Sequence, residues 1–366
     1  MPSAYPQRRE VAVGSVVLGA DNPVAIQSMT TTDTSDVEAT LAEIRLLEEA
    51  GCELIRVSVP DEKSAHALPA IKKQMRVPLI ADIHFQPKLA LAAIAAGVDK
   101  VRLNPGNIVT RDRLEPVARE LAKHKMPVRI GVNAGSIAAD LKPLYRDDPV
   151  AAIVKSAHRY IEMLESLGVH QIVVALKSSD VPVTVEAYRK FAWESDYPLH
   201  MGITEAGPGI IGASRSAAGL GLLLAEGLGD TLRVSLASGV EDEVVVAKEI
   251  LSSLGIREFP RLIACPTCAR QEFDVIATAG RLQRTLLSLK VPLTVAIMGC
   301  VVNGPGEAAE ADVGLIASGG SFTIYRDGAI AQRANSLAEA EAAFRRQIAL
   351  AAEAYANKSK MAVRDG

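Results

Sequence analysis

Three of the four cysteines in this 366-residue chain fall in its last third, in two segments punctuated by Gly and Pro. They are Cys265-Pro266-Thr267-Cys268, and Cys300 in the run Gly299-Cys300-Val301-Val302-Asn303-Gly304-Pro305-Gly306-Glu307. A Cys-x-x-Cys pair with a distant third Cys suits zinc, an iron–sulfur cluster or a thiol–disulfide couple. Three thiolates are one short of an all-cysteine site, so a fourth ligand comes from elsewhere or one metal position stays open. A redox couple would leave the third cysteine idle. Zinc would commonly recruit a histidine, and none of the six histidines lies beyond His200. In the Cys300 loop the strong ligand type is carboxylate, at Glu307, with Glu310 and Asp312 beyond. A [4Fe–4S] cluster on three Cys and one Glu is chemically coherent. Carboxylate matches iron in a sulfide cluster less tightly than thiolate does, so one iron would be easier to free for a substrate oxygen. Cys52, beside Gly51 in an apolar context, reads as a buried core thiol. No Cys-x-x-x-Cys-x-x-Cys occurs, so the usual radical S-adenosylmethionine arrangement is not supported.

A second set of chemistry-bearing residues closes short apolar runs. Arg56 lies in Ile-Arg-Val-Ser-Val-Pro, Asp82 and His84 in Ala-Asp-Ile-His-Phe, and Arg102 and Asn104 in Val-Arg-Leu-Asn-Pro-Gly-Asn. Arg129 and Asn133 follow, then Lys177, Thr204-Glu205, and Arg233 with Ser235. Arginine is costly to bury without an anionic partner, and its fork suits phosphate. Several cations converging on one mouth predict a multiply charged substrate, a diphosphate foremost. The bland alternative is that some of them form structural ion pairs with Asp82, Glu205 or Asp180. Asp82 and His84, two residues apart, face one side of a strand; His84 suits either a proton donor or a satisfied structural histidine. The Gly- and Ser-rich stretch from Gly202 to Gly221 is a weak phosphate-loop signal.

These residues need elements to hold them. Eight β-branched runs, Val24–Met29, Glu53–Val59, Val77–His84, Lys100–Asn104, Pro127–Asn133, Gln171–Lys177, Pro198–Thr204 and Thr231–Ser235, alternate with helical patterns. The first helix carries Val37, Leu41, Ile44 and Leu47 on one face, opened by Ser35 with Glu38 at capping-box spacing. Further helices are expected near 86–97, 111–124, 148–167, 183–195, 213–227 and 241–253, with Gly51, Gly97 and Gly168 as C-terminal caps. Eight such units in about 230 residues fit a (β/α)8 TIM barrel. A doubly wound open sheet competes, but no Gly-x-Gly-x-x-Gly follows an early strand and the polar residues sit at strand ends. Residues 1–257 are thus expected to form the barrel. Residues 258–366 are expected to form a small α+β domain: strands near 261–264, 293–298, 313–317 and 321–325, and helices near 271–289 and 336–357.

Bulk composition narrows the function classes. A net charge of −3 provides no basic field for nucleic acid, and 4% aromatics provide no stacking platform for single strands. No apolar stretch reaches signal-peptide or membrane-spanning length, and four cysteines in so long a chain are not a disulfide framework. A cytoplasmic protein is expected.

The motifs Ile26-Gln27-Ser28-Met29-Thr30, Ile55-Arg56-Val57-Ser58-Val59-Pro60, Ala81-Asp82-Ile83-His84-Phe85, Asn104-Pro105-Gly106-Asn107, Gly131-Val132-Asn133-Ala134-Gly135-Ser136 and Gly202-Ile203-Thr204-Glu205-Ala206-Gly207, together with both cysteine segments, give the chain a close resemblance to one family. It resembles the bacterial 4-hydroxy-3-methylbut-2-en-1-yl diphosphate synthases along essentially its whole length. The resemblance implies a TIM barrel joined to a cluster domain like those of sulfite and nitrite reductases. It implies a [4Fe–4S] cluster on Cys265, Cys268, Cys300 and Glu307. The implied reaction is reductive ring opening and dehydration of 2-C-methyl-D-erythritol 2,4-cyclodiphosphate, with electrons from flavodoxin or ferredoxin. A head-to-tail homodimer with a shared active site is implied as well. Substrate contacts are then expected from Arg56, Asp82, Arg102, Asn104, Arg129, Asn133, Lys177, Ser235 and Asn303. Glu205 or His84 is expected to supply a proton, and Glu307 to yield its iron to substrate. The competing readings are a zinc-stabilised, pterin-type barrel transferase and a bare electron carrier; the cationic mouth argues against the latter.

Overall fold

Strands buried on both faces are largely apolar, and the runs read from the sequence are so apart from the few polar residues that they carry. In the computed structural model, which describes residues 4–84, 86–104, 110–266, 268–287 and 289–362, they form a parallel barrel. A two-stranded hairpin, β1 (Val11–Val13) and β2 (Val16–Leu18), precedes it. The barrel strands are β3 (Ala25–Met29), β4 (Leu54–Ser58), β5 (Leu79–Ile83), β6 (Lys100–Leu103), β7 (Val128–Asn133), β8 (Ile172–Lys177), β9 (His200–Met201) and β10 (Thr231–Leu232). Their order is β8-β7-β6-β5-β4-β3-β10-β9, and a single parallel bridge, Val174 to Leu199, joins the two ends.

The outer layer comprises α1 (Val37–Ala50), α2 (Glu62–Lys72), α3 (Pro87–Ala95), α4 (Arg111–Lys123), α5 (Lys142–Asp147), α6 (Pro149–Glu165), α7 (Val181–Glu194), α8 (Gly209–Ala225) and α9 (Val240–Ser253). Gly51, Gly97 and Gly168 take the left-handed backbone expected after their helices. Two expectations change. The N-cap of α1 is Asp36, whose carboxylate accepts from Ala39 N at 3.0 Å; Ser35 N instead donates to Asp33 in the preceding turn. Helix α2 has no counterpart among the expected helices. It is capped by Asp61, and its regularity is interrupted in sequence by Pro69.

The hairpin was also unforeseen, because three-residue strands carry almost no periodic signal. Val11, Val13 and Leu18 are fully buried against Ala25, Leu54, Ile80 and Val173, which lie in the N-terminal halves of the barrel strands. The hairpin therefore plugs the lower end of the barrel with apolar side chains.

Residues 258–366 form a separate compact unit, as residues 1–257 do. Its strands are β11 (Arg261–Ala264), β12 (Thr294–Met298), β13 (Val313–Ser318), β14 (Ser321–Arg326) and β15 (Ala329–Ala334), adjacent in that order. β11, β12 and β13 are parallel, and the last two pairings are antiparallel. Helices α10 (Val275–Leu287) and α12 (Leu337–Ala362) cover one face, where Leu282, Leu286, Phe344 and Ile348 meet Val295, Ile297, Leu315 and Ile324. Short α11 (Gly304–Glu310) packs Ala308 on Met298 and Ile316 of the other face. A sequence opening Gly-Pro-Gly reads as loop, so α11 was not anticipated. Among the described residues no helix is long and apolar enough to cross a membrane.

Candidate active site and cysteine loops

Along a barrel strand, residues i and i+2 face the interior together. Register pairs Met29 with Arg56, Ser58 with Asp82, Asp82 with Arg102, Arg102 with Arg129, and Asn133 with Lys177. One interior surface thus gathers Arg56, Asp82, Arg102, Arg129 and Lys177, all between 2% and 9% exposed.

Asp82 is the hub of this surface. Its Oδ1 accepts from Arg102 Nη1 at 3.0 Å, and its Oδ2 lies 3.7 Å from Arg56 Nε and 3.3 Å from His84 Nε2. Burial alone would raise the Asp82 carboxyl; Arg56, the His84 hydrogen bond and Arg102 outweigh it and hold the group well below the usual carboxylate range. His84 Nε2 also lies 3.1 Å from Arg102 Nη1. Unprotonated, that nitrogen accepts from the guanidinium; protonated, it donates to Asp82. The geometry accommodates both states.

Arg233 is held by Glu243 at 3.0 Å, and Glu243 also accepts from Ser28 Oγ at 2.6 Å. The other cations are less well matched. Among the described residues no carboxylate lies within ion-pair distance of Lys100, Arg129 or Lys177. Arg129 Nε and Nη1 and Lys100 Nζ are buried with no hydrogen-bond partner among the described residues, as are both ring nitrogens of His200 and both amide atoms of Gln27. Burial, then Arg129, Arg56, Arg233 and Arg102, pulls the Lys177 ammonium far below the ordinary lysine range. Burial also pulls Arg56 down to about 10, with Arg233 and Arg102 adding to it and Asp82 opposing. Two glycines make room for the crowd. A Cβ at Gly131 would stand 2.8 Å from Arg102 Nε, and one at Gly202 would stand 2.5 Å from Lys177 Nζ.

The remaining expected residues are placed differently. Asn104, 3% exposed, donates through Nδ2 to Ser136 Oγ at 3.1 Å. Asn133 is half-buried at the end of β7; Ser235 is half-buried three residues beyond β10, which stops at Leu232 rather than at the expected Ser235. Glu205 is exposed, on left-handed backbone with φ +53°, a strained conformation for a non-glycine residue. Asp180 is not an ion-pair partner of the mouth; it caps α7 by accepting from Val183 N at 2.8 Å. Phe85, residues 105–109 of the Asn-Pro-Gly-Asn motif, and Thr267 lie outside the described residues. Lys100, His200, Gln27 and Glu243 were not singled out from sequence. Lys100 stands two residues before Arg102, and His200 two before Gly202, so the same period of two marks both.

In the second unit, β11 and β12 run parallel with Ala264 opposite Ile297, so both cysteine segments leave the same end of the sheet. Cys265 N donates to Ile297 O at 3.1 Å, and the Gly299 N–H donates to Cys265 Sγ at 3.2 Å. Cys268 is exposed and Cys300 half-buried; Glu307 is exposed in the first turn of α11, and Asn303 stands at that helix's N-cap. All four cysteines of the chain are free thiols. Cys52 is buried, donates to Leu54 O at 3.2 Å, and burial pushes its thiol up to about 12. Among the described residues no three Cys, His, Asp or Glu side chains converge as a metal-holding group. The donors are carried at one end of a sheet but not closed on a centre. Their chemistry suits an iron–sulfur group better than zinc: three unbridged thiols, one already accepting a backbone N–H, one exposed carboxylate, and no histidine in residues 258–366.

A nearly closed parallel barrel with a cationic mouth, followed on one chain by an α+β unit carrying three free thiols, defines a two-domain TIM-barrel protein. Residues 8–248 match the GcpE TIM-barrel domain and residues 261–349 the GcpE protein C-terminal domain, and the chain belongs to the GcpE family. A relative from Bacillus cytotoxicus, named 4-hydroxy-3-methylbut-2-en-1-yl diphosphate synthase (flavodoxin), is 47% identical over 353 residues, 96% of either chain. One of the same name from Bacillus cereus strain Q1 is 49% identical over 326 residues, 89% of either chain. Among solved structures, the dihydropteroate synthase of Stenotrophomonas maltophilia is similar with a TM-score of 0.50 at 17% identity, covering 66% of this chain and 97% of its own. That of Yersinia pestis gives 0.50 at 13% identity, covering 67% and 98%. At such identities the likeness is one of fold alone.

Proposed function

We propose that the protein is a 4-hydroxy-3-methylbut-2-en-1-yl diphosphate synthase: an oxidoreductase that opens and dehydrates 2-C-methyl-D-erythritol 2,4-cyclodiphosphate in isoprenoid precursor synthesis. Relatives of that name at 47–49% identity support the reaction. The structural observation that carries it is the surplus of buried cations, Arg129 and Lys177 above all, for which no carboxylate among the described residues lies within ion-pair distance. A cyclic diphosphate supplies the missing negative charge.

In this reading Arg56, Arg102, Arg129 and Lys177 grip the diphosphate, while Asn104, Asn133 and Ser235 orient the ring through hydrogen bonds. Asp82 contributes by fixing Arg56 and Arg102, so the guanidiniums are aimed before substrate arrives. The departing hydroxyl needs a proton. His84, poised between Arg102 and Asp82, and Glu205, exposed on strained backbone, are the candidates to deliver it. Cys265, Cys268, Cys300 and Glu307 would hold a [4Fe–4S] cluster, which supplies single electrons and a Lewis-acidic iron. Asn303, close to Glu307 in sequence, would contact substrate or tune that group by hydrogen bonding. Flavodoxin, part of the name of the relatives, or a ferredoxin-like donor would bring the electrons. A head-to-tail homodimer with a shared site and a cytoplasmic setting that keeps the thiols reduced complete the proposal.

The test is turnover of the cyclodiphosphate by anaerobically purified protein with a chemical reductant, alongside iron, sulfide and zinc analysis. Formation of the hydroxymethylbutenyl diphosphate is expected. Zinc without sulfide, and no turnover, would favour the pterin-type barrel transferase instead.

A further inference from the structure

Lys100 lies on the same face of β6 as Arg102, one pleat deeper in the barrel. It is fully buried, and its Nζ has no hydrogen-bond partner among the described residues. The charged groups that face it are Arg129 of β7 and Arg56 of β4. The His200 ring on β9 faces Lys100 too, together with Lys177, Arg129 and Arg56, and both its nitrogens are unpartnered. An isolated positive charge there is costly, and something must yield. Guanidinium groups keep their protons inside proteins, whereas a buried amine gives its proton up. Burial first, and then Arg129 and Arg56, hold Lys100 far below the ordinary lysine range, which disfavours its charged form.

Arg129 and Arg56 are also two of the residues assigned to the diphosphate. An anion seated on them cancels the repulsion that disfavours the charged form of Lys100. We propose that Lys100 takes up one proton from solvent when the cyclic diphosphate binds, and so strengthens substrate binding from beneath the mouth without touching the substrate. This rests on the reading of the mouth as a diphosphate site. Lys177, which meets the same guanidiniums, shares in the uptake. Lys100 is a positioning residue for charge; the step is protonation of an amine and involves no redox partner.

Calorimetric titration of the unreduced holoprotein with the cyclodiphosphate, in two buffers of different ionisation enthalpy, tests the proposal. Both ionisations of a cyclic diphosphate are complete at neutral pH, so protons taken up on binding are the protein's own. Net uptake is expected in the wild type, and about one proton less in Lys100→Met. His200→Gln should retain the wild-type uptake. Wild-type affinity should weaken about tenfold per pH unit for each proton taken up, as pH rises through the neutral range. That measurement needs no variant to fold. Binding without proton uptake, equal uptake in Lys100→Met, or loss of uptake in His200→Gln would overturn the assignment. Absence of binding by the wild type would instead overturn the reading of the mouth itself.

Discussion

The barrel mouth is built from strands and the cysteine set from loops, and they differ in how much of each site exists before a ligand arrives. At the mouth, Arg56, Asp82, Arg102, Arg129 and Lys177 are all at most 9% exposed and positioned by strand register. In the second unit Cys268 and Glu307 are exposed, and among the described residues no three such donors converge. A strand fixes a side chain to within a pleat, so a site on strands is held in place and carries like-charge repulsion in the free protein. A site on loops leaves its polar groups to solvent and carries little strain. Pre-positioning therefore destabilises the first region, whereas the second bears no such cost.

Breaking the loop site should have the greatest effect on activity. Cys300→Ser removes one thiolate from a set with none to spare; turnover should fall roughly a thousandfold or more, with loss of bound iron and sulfide. The fold should persist by circular dichroism, because Cys300 is only half-buried. Asp82→Asn strikes the hub of the mouth. Leaving Arg56 and Arg102 without their carboxylate should cost about 3–5 kcal/mol in denaturant unfolding. Asp82 lies below its unfolded value, so its stabilisation is complete above the ordinary carboxylate range and is lost as pH falls through the depressed one. The wild type should therefore lose its stability advantage over Asp82→Asn in acid.

Arg129→Met separates the two regions most sharply. Removing an unpaired buried charge should raise stability by about 1–4 kcal/mol while weakening substrate binding about a hundredfold. A loss of both would mean that Arg129 has a structural partner after all. The smallest effect is expected at Cys52→Ala, about 1–2 kcal/mol with unchanged iron content. In native protein Cys52 should also resist alkylation, since its thiol is buried and pushed up to about 12.

What the sequence disclosed follows the same division. Arg56, Asp82, Arg102 and Lys177 were legible because each closes an apolar run, and strand ends of a barrel share one mouth. Lys100, His200 and Gln27 were missed because they sit deeper on the same strands, where a polar residue looks like an interruption. Glu243 was missed because an acidic first turn of a helix reads as a response to the helix dipole, here with Glu241 and Asp242 beside it. In the second unit the donor types were plain from Cys-x-x-Cys and Cys300. How the loops carry them was not, because loop conformation leaves no periodic trace. Short elements failed for a related reason: the hairpin of residues 11–18 and helix 304–310 are each too brief to show a pattern.

The hairpin has a consequence for traffic. With Val11, Val13 and Leu18 packed into one end, an anion drawn to Arg56, Arg102 and Arg129 has to approach from the opposite end, where the strands finish. Arrival and departure then share one face of the barrel.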